Sequence, residues 1–411
     1  MRRTGAFRSV LMGVAGVATA GTLGFGALVM TLSIERTLPA SLPTPTGSLA
    51  VGRTSFVWTD DAHEDSLAPL PGTKRELVVW IWYPSAAGPS AAMVDYVPAQ
   101  MRAAATPGGG LLRLLTRDLS KVHAHSIRDA DVSPQPRSYP VVIMRAGASV
   151  EVWNYTTLAE DLASHGYVVV GFDAPYRTYS VVFPDGRVMR RTPENNPELC
   201  EDQAQAQQAR CVNRVLTAWT ADIAFVLDQL ERVNVSDPTG KFMGRLDMTR
   251  VGVFGHSFGG AQAAQFCSLD SRCKAGIDVD GSLHGSVIQA GIHKPFMFLL
   301  SGQGDFSSDA EIRQIQADIQ SVYDRLPANG RLRISIRGAS HFLFSDDGAL
   351  LKSHIVLRTL RALGIVGIDG RRQLAVTAYC VHRFFDLYLK GTSYSRLNIS
   401  SPLYPEIEVL E

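Results

Sequence analysis

The residues best suited to chemistry lie in one short stretch, Gly255-His256-Ser257-Phe258-Gly259. An apolar run at 251–254 precedes this stretch, and a run of mostly small residues at 260–267 that is typical of a helix follows it. A turn this tight between a strand and a helix leaves no room for bulky side chains, which accounts for the flanking glycines. It also holds the serine hydroxyl above the sheet, near the positive end of the helix. The stretch therefore predicts that Ser257 is a catalytic nucleophile.

A serine hydroxyl is a poor nucleophile at neutral pH, so a base must accept its proton and a carboxylate must orient that base. After a serine turn of this kind, the acid and then the histidine follow later in the chain. His341 comes directly after a predicted strand at 331–338 and is the predicted base. The other downstream histidines, His354 and His382, lie in predicted helices, where we expect a structural role.

Two aspartates at the ends of predicted strands compete for the role of the acid. Asp280 follows the apolar run at 275–279, and Asp305 follows the next run, at 296–300. In the common arrangement the acid follows the later of these two strands, so spacing alone slightly favours Asp305. The residues themselves leave both aspartates open.

The negative oxygen that develops during acyl transfer needs two backbone N–H groups as hydrogen-bond donors. One is expected from Phe258, the residue after the nucleophile. The other is expected from the loop after the apolar run at 140–144, where Ala148 is the predicted donor. No metal-ligand spacing such as Cys-x-x-Cys or His-Glu-x-x-His occurs in the sequence, so we expect neither a metal nor a cofactor.

The elements that must hold these residues alternate between strand and helix from residue 139 onward. This alternation, with uninterrupted apolar strands, predicts a mostly parallel central sheet with helices on both faces. Together with the serine turn it predicts an α/β-hydrolase fold. The active site is then expected at the carboxyl ends of the strands. Upstream, 75–83 is predicted to be a strand paired antiparallel with 53–58, and 85–135 is expected to be irregular. The predicted strands are 140–144, 167–172, 251–254, 275–279, 296–300 and 332–336, and the predicted helices are 153–165, 204–232, 310–326 and 372–389.

Composition narrows the class of protein. The chain has 411 residues, of which 45% are hydrophobic and 19% charged, as expected for a globular protein with a large core. The net charge is only +1 and no long Lys/Arg block occurs, so nothing indicates a nucleic-acid partner.

The N-terminus predicts export. Arg2, Arg3 and Arg8 precede an uncharged, mostly apolar run at 9–34. This run is long enough for an uncleaved membrane anchor, while Ala18-Thr19-Ala20 offers a signal-peptide cleavage site. We favour the anchor, because cleavage there would leave an apolar tail; both hypotheses place the domain outside the cytoplasm. The predicted organisation is an anchor or signal sequence at 1–36, a Pro-rich linker at 37–48 and a single catalytic domain at 49–411.

The cysteines agree with an extracytoplasmic location. Cys200 with Cys211, and Cys267 with Cys273, would each close a short loop in an oxidising compartment. Cys380 is left over and is expected to be a buried thiol.

Three segments resemble the plasma-type platelet-activating-factor acetylhydrolases and the broader dienelactone-hydrolase-like group. They are the serine turn extended to Gly260, the stretch Cys273-Lys274-Ala275-Gly276-Ile277-Asp278-Val279-Asp280-Gly281, and Ser340-His341-Phe342. The similarity covers roughly 47–389. In that family the acid lies in a segment matching the second stretch, so the resemblance implies Asp280 in preference to Asp305. Two departures are Ala146, where many hydrolases have histidine, and the segment 281–284, which lacks an aromatic-rich continuation.

The resemblance implies a serine esterase acting through an acyl-enzyme, similar to 1-alkyl-2-acetylglycerophosphocholine esterases. Its substrate would be a small-molecule or lipid ester, with short or oxidised acyl groups of phospholipids expected. Independently of the resemblance, the N-terminal segment is the expected contact with a membrane. One alternative is a general carboxylesterase or a polyester (cutin) esterase that uses the same residues. Another is a catalytically dead, membrane-tethered binding module, since a fold does not dictate a function.

Overall fold

The computed structural model describes residues 22–86, 88, 93–105, 117–200, 205–301, 309–350, 354–363, 367–392 and 401–410. Within these ranges, stretches rich in β-branched and aromatic residues form the strands, because such side chains suit a pleated, buried surface. The strands are β1 (Ala40–Ser41), β2 (Ala50–Glu64), β3 (Lys74–Ser85), β4 (Met93–Asp95), β5 (Val122–Arg128), β6 (Tyr139–Arg145), β7 (Val168–Asp173), β8 (Ser180–Val182), β9 (Val188–Arg190), β10 (Leu246–His256), β11 (Cys273–Val279), β12 (Phe296–Ser301), β13 (Arg331–Ile336) and β14 (Ile407–Val409).

The last long helix of the chain begins and ends at residues suited to helix termini. The Asp369 side chain accepts hydrogen bonds from two N–H groups at the start of the last long helix, and Gly391 ends that helix in the left-handed conformation. The α-helices are α1 (22–37), α2 (Ala99–Ala105), α3 (Thr156–Ser164), α4 (Gln205–Val235), α5 (Phe258–Leu269), α6 (Val287–Ala290), α7 (Asp309–Tyr323), α8 (Asp347–Leu350), α9 (His354–Ala362) and α10 (Gly370–Lys390). Short 3₁₀ helices occupy Leu119–Lys121, Val152–Tyr155, Pro193–Asn195, Pro197–Cys200 and His341–Phe344.

Twelve of the described strands form one mixed sheet in the order β1-β5-β2-β3-β7-β6-β10-β11-β12-β13-β14, with β4 paired to β5. The six strands from β7 to β13 in this order are parallel to one another. β8 and β9 form a separate hairpin. The predicted α/β-hydrolase fold with a mostly parallel central sheet is confirmed.

Helices cover both faces of this sheet, as predicted. On one face, buried residues of α3 and α10 such as Leu158 and Val381 pack against the strands. On the other face, α4, α5 and α7 contribute Val226, Ala263 and Ile319. Strands buried on both sides explain why their sequences read as continuous apolar runs.

The order of the strands creates the position for a site. β6 is followed in the chain by β7 on one side, and the chain then crosses over to β10 on the other side of β6. At such a switch point the loops leave in opposite directions, which opens a crevice at the carboxyl ends of the strands. The turn after β10 and the loop after β6 both border this crevice.

The early part of the chain agrees with its prediction only in part. The antiparallel pair 53–58 and 75–83 is confirmed by β2 and β3, with Val57 opposite Val78. The irregular structure expected for 85–135 is wrong, because this stretch contains β4, α2 and β5. The buried face of β5 carries Val122, Ala124 and the polar Ser126, and Glu160 of α3 accepts hydrogen bonds from the backbone N–H groups of His125 and Ser126. With only two apolar residues on that face and a partner remote in sequence, the local pattern marks the strand weakly.

The segment at 37–48, predicted as a linker, lies against β5 and α3. Ala40–Ser41 pairs with β5, and Gly47 N donates to Ser164 Oγ at 2.9 Å. Among the described residues, no helix combines the length and the apolar character needed to cross a membrane. Both suggested cysteine pairs, Cys200–Cys211 and Cys267–Cys273, are disulfide-bonded, and Cys380 is a buried free thiol. Two disulfides indicate a protein of an oxidising, extracytoplasmic compartment.

Candidate active site

Ser257 lies at the junction between β10 and α5, in a backbone conformation that side chains rarely adopt. Its φ is 57° and its ψ is −126°. The junction is held by hydrogen bonds from Ser257 N to the Val279 oxygen and from Gly260 N to the Ser257 oxygen, both 2.8 Å long. Such a strained residue persists only where the surrounding structure enforces it, and it frequently marks a functional site.

The two glycines of the turn are required by close backbone contacts. A Cβ atom at position 255 would lie 2.2 Å from the Gly259 carbonyl oxygen, and one at position 259 would lie 2.5 Å from the Arg145 oxygen. Both distances are shorter than any stable contact with a backbone atom. The glycines therefore allow β10, α5 and the end of β6 to meet beneath Ser257.

His341 links Ser257 to Asp280 through its two ring nitrogens. Its Nε2 lies 3.1 Å from Ser257 Oγ, and its Nδ1 lies 2.8 Å from Asp280 Oδ2. The neighbouring residue Ser340 is held at both backbone groups by Gln373 of α10, at 3.0 Å and 2.8 Å. Thus three predicted residues from three separate loops form one hydrogen-bonded row.

Asp280 is held by the end of the next strand. Its N–H donates to the Leu299 oxygen, and its Oδ1 accepts a 2.7 Å hydrogen bond from Ser301 N. Burial alone would raise the pKa of Asp280, but the hydrogen bond and the charge of His341 outweigh burial and hold the pKa below its ordinary value. Asp280 is therefore a carboxylate at neutral pH, as a group that orients an imidazole must be.

The sequence also offered Asp305 as the acid and His354 and His382 as the base. Asp305 lies outside the described residues, which end at 301 and resume at 309. His382 contacts Asp161, and His354 is the first residue of α9. His382 lies outside the hydrogen-bonded row at Ser257, and the side chain of His354 is not among those that the structure describes.

The loop after β6 passes close to Ser257. A Cβ atom at Gly147 would lie 3.4 Å from Ser257 Cβ. Gly147 N donates to the Tyr155 hydroxyl, so the next backbone N–H in the loop is that of the half-buried Ala148. Phe258 is the first residue of α5, where a backbone N–H has no acceptor within the helix. Both predicted donors thus border the nucleophile, while their role in binding an oxyanion stays a prediction.

Tyr155 and His256 join this loop to the serine turn, a connection that the sequence analysis did not find. The Tyr155 hydroxyl accepts from Gly147 N at 3.1 Å and lies 2.8 Å from His256 Nδ1, to which it can donate. Burial, aided by the neighbouring His341 imidazole, lowers the pKa of His256 to about 3. His256 is therefore neutral and serves as a hydrogen-bond acceptor. The position of His256 beside Ser257 in the sequence could have marked it as part of the site. Its partner Tyr155, however, lies 101 residues away.

Asp278 is a second buried acid beneath the turn. Its Oδ1 accepts from Gly281 N at 2.8 Å, and a Cβ atom at Gly260 would lie only 1.8 Å from the same oxygen. Burial raises the pKa of Asp278 to about 8. It is therefore mostly protonated at neutral pH and adds little negative charge next to Asp280.

The row opens to solvent at His341. The imidazole is about a quarter exposed, and the adjacent Phe342 side chain is 54% exposed with its ring centre 5.5 Å from that of His341. An exposed aromatic ring beside a reactive histidine offers an apolar contact to an incoming molecule. The arrangement can deprotonate a hydroxyl and present it to an electrophilic carbonyl.

Comparisons with known proteins agree with this geometry. A family model described as platelet-activating factor acetylhydrolase, isoform II, matches residues 41–390. The chain is 25% identical over 406 residues to a probable 1-alkyl-2-acetylglycerophosphocholine esterase of Arthroderma benhamiae, covering 92% of this chain and 96% of that protein. It is 27% identical over 223 residues to the platelet-activating factor acetylhydrolase of Cavia porcellus, covering 51% of this chain and 48% of that enzyme.

The fold also resembles that of a solved esterase. The structure of a ferulic acid esterase from Streptomyces cinnamoneus superposes with a TM-score of 0.72 at 26% identity, covering 90% of this chain and 99% of that one. The similarity therefore extends over nearly the whole of both chains.

Proposed function

Since this chain belongs to the platelet-activating factor acetylhydrolase isoform II family and is a serine ester hydrolase, we propose that Ser257, His341 and Asp280 are its catalytic triad. The observation that carries the proposal is the continuous hydrogen-bonded row from Ser257 Oγ through both nitrogens of His341 to Asp280 Oδ2. The strained backbone of Ser257 supports it, because that conformation directs the hydroxyl toward the histidine.

The reaction proceeds in two steps. His341 Nε2 accepts the proton of Ser257 as Oγ attacks the ester carbonyl, and the N–H groups of Phe258 and Ala148 stabilise the negative oxygen of the tetrahedral intermediate. When the intermediate collapses, the alcohol leaves with the proton from His341 and the acyl group remains on Ser257. His341 then deprotonates a water molecule that attacks the acyl-enzyme, releasing the carboxylic acid and restoring the serine. Asp280 keeps the imidazole in the required tautomer and stabilises its cationic form.

The proposed substrate is a phospholipid with a short or oxidised acyl group. The fungal relative, aligned over most of both chains, carries the name of an esterase for a glycerophosphocholine with an acetyl group. The exposed Phe342 beside His341 supports an apolar substrate, because it offers a surface for a lipid chain next to the reacting carbonyl.

The solved structural neighbour favours a second candidate, a carboxylesterase for simple or aromatic-acid esters. The ferulic acid esterase is as similar in sequence as the fungal relative, at 26% against 25% identity. A polyester (cutin) esterase would use the same three residues. The inactive binding module has no support, since the chain is an esterase.

One experiment separates these candidates. Full-length protein is labelled with a fluorophosphonate probe and the labelled peptide is mapped, with Ser257→Ala as the control. Turnover is then compared among a short-acyl phosphatidylcholine, its long-acyl analogue, methyl ferulate and p-nitrophenyl esters of rising chain length. Labelling at Ser257 with preference for the short-acyl phospholipid supports the full proposal. Labelling with activity on the simple esters alone would leave the triad and refute the lipid substrate, and labelling elsewhere would refute the triad.

We further propose that residues 1–36 take the catalytic domain across the cytoplasmic membrane. Support comes from Arg2, Arg3 and Arg8 ahead of the uncharged run at 9–34. The segment acts as an uncleaved anchor, with a cleaved signal peptide as the alternative, followed by the linker at 37–48 and the catalytic domain at 49–411. N-terminal sequencing of protein from membrane and soluble fractions distinguishes the two.

A further inference from the structure

Away from the proposed active site, two histidines and an aspartate come together around one point. Asp161 belongs to α3, His165 directly follows that helix, and His382 belongs to α10. One ring nitrogen of each histidine and one carboxylate oxygen lie within 4.8 Å of one another. Because α3 runs from the carboxyl end of β6 back to the amino end of β7, this cluster lies near the amino ends of the parallel strands, whereas Ser257 lies at their carboxyl ends.

We propose that Asp161, His165 and His382 bind a divalent transition-metal ion, with zinc the best match. Two imidazoles and a carboxylate are a common zinc ligand set, and bonds of about 2.0–2.1 Å place tetrahedral ligand atoms about 3.3 Å apart. Asp161 Oδ2 lies 3.3 Å from His382 Nδ1 and 3.9 Å from His165 Nε2. Of the three edges between these ligands, the Asp161–His382 edge already has the required length and the Asp161–His165 edge must shorten by about 0.6 Å. The two histidine nitrogens lie within 4.8 Å of each other and must also approach.

Thr46 fixes the orientation of the carboxylate. Asp161 Oδ1 accepts hydrogen bonds from Thr46 N at 2.8 Å and from Thr46 Oγ1 at 2.7 Å, which leaves Oδ2 facing the imidazoles. Polar groups that hold a ligating carboxylate in this way are typical of metal sites. Thr46 Oγ1 also lies 2.9 Å from His165 Nε2, and this contact gives way when the nitrogen binds the ion. Water fills the fourth position.

The environment suits a cation that enters from one side. The Asp161 and His382 side chains are only 4% and 10% exposed, whereas His165 is 23% exposed and provides the entry. The two imidazole rings stack with their centres 4.1 Å apart. They must tilt on metal binding, because the in-plane lone pairs of stacked rings run parallel and have to converge on one ion. The nearby Lys390 ammonium is held by Asp386 Oδ1 at 2.9 Å and by the His165 carbonyl oxygen. Its charge is therefore compensated outside the cluster.

A metal here would join three parts of the chain. Its ligands come from the end of α3 and the middle of α10, and Thr46 attaches the segment that precedes β2. Asp161 and His165 are four residues apart, but His382 lies 221 residues from Asp161, so local spacing could not reveal the complete site. The expectation of no metal rested on local spacing alone. The role of the ion is to stabilise the fold, separately from ester hydrolysis.

The test is a zinc titration of chelator-treated, full-length protein against a chromogenic zinc chelator. We expect the wild type to bind one equivalent of zinc tightly. In His165→Gln and in His382→Gln the dissociation constant for zinc should be larger by ~10-fold or more. The matched control is His63→Gln, because His63 also faces an aspartate, Asp60 at 3.0 Å, at a site remote from the cluster. This variant should bind zinc like the wild type.

Two further measurements keep the result interpretable. Cobalt(II) added to the wild type should give the visible absorption of a four-coordinate site, and zinc should raise its Tm but not that of His165→Gln. Fluorophosphonate labelling and esterase activity report folding of each variant, because the active site lies at the other end of the parallel strands. If His382→Gln fails to fold, His165→Gln and the cobalt spectrum decide. Absence of a tight equivalent in the wild type, or unchanged zinc affinity in folded His165→Gln, would overturn the proposal.

Discussion

Replacing Asp280 with asparagine tests how the proposed acid acts on His341. Ser301 N donates to Oδ1 of Asp280, and Oδ2 faces His341 Nδ1 at 2.8 Å. In Asp280→Asn, the Ser301 N–H requires the amide oxygen at the Oδ1 position, so the amide NH₂ must face Nδ1. Nδ1 then has to accept a hydrogen bond, and a neutral imidazole with an accepting Nδ1 carries its proton on Nε2. That nitrogen can no longer accept the proton of Ser257.

The expected loss is large because the wrong tautomer removes general-base catalysis altogether. Substitution of the acid by its amide in a triad lowers kcat about 10⁴-fold. This factor corresponds to about 5.4 kcal/mol in the activation free energy. KM should change little, because Asp280 does not contact the ester in the proposed mechanism. The side chains are nearly equal in shape, so the fold should be retained.

The assay is steady-state hydrolysis of p-nitrophenyl acetate together with the rate of fluorophosphonate labelling, measured on folded variants. The matched control is Asp305→Asn, which changes the competing acid in the same way and should keep kcat within a few-fold of the wild type. A kcat for Asp280→Asn within tenfold of the wild type would refute the tautomer argument. A large loss in Asp305→Asn alone would make Asp305 the acid.

Three further predictions concern the turn and the residues beneath it. The free energy of unfolding of Ser257→Gly should exceed that of Ser257→Ala by about 1 kcal/mol, because glycine tolerates a φ of 57°. Equal urea midpoints for the two variants would argue against strain at this residue. Tyr155→Phe should lower kcat about fivefold at nearly constant KM, because the loop at Gly147 loses a hydrogen bond of about 1 kcal/mol. An unchanged kcat would show that the loop holds its position without this bond. Asp278→Asn should gain stability over the wild type as pH rises from about 4 to about 8. The pKa of Asp278 is about 8 in the folded wild type and 3.8 ordinarily, so in this range the unfolded wild type releases a proton that the folded state keeps, and the wild type loses stability. A constant difference in unfolding free energy between the two proteins across this range would contradict the raised pKa.

Local sequence is a good guide to the parts of the fold that are defined by local geometry. The turn at Ser257 needs a strand, two glycines and a helix within a dozen residues, and each of these has its own signature. Likewise the parallel strands are buried on both faces and read as apolar runs, so β6, β7, β10, β11, β12 and β13 all lie close to their predicted positions. β5 escaped prediction because its buried Ser126 and its backbone are satisfied by Glu160 of α3, which lies 34 residues away.

The choice of acid shows the same limit at the site. Asp280 and Asp305 both follow apolar runs, and a strand end by itself does not tell which carboxylate faces a histidine 61 residues from Asp280. Only the resemblance to a family favoured Asp280 before the structure was considered. In the structure, the lateral order of β11 and β12 brings Asp280 next to Ser301 and beneath His341.

The sequence by itself determined the class of fold, the serine turn, the predicted base and the cysteine pairs, because periodicity, glycine positions and short loops are properties of neighbouring residues. The tertiary structure alone decided the link from Gly147 through Tyr155 to His256, the protonated state of Asp278 and the convergence of Asp161, His165 and His382. These features depend on which distant side chains share a buried space, where the cost of an unpaired charge or polar group is highest. Because that proximity is set by how the strands and helices pack, it cannot be seen in a single sequence.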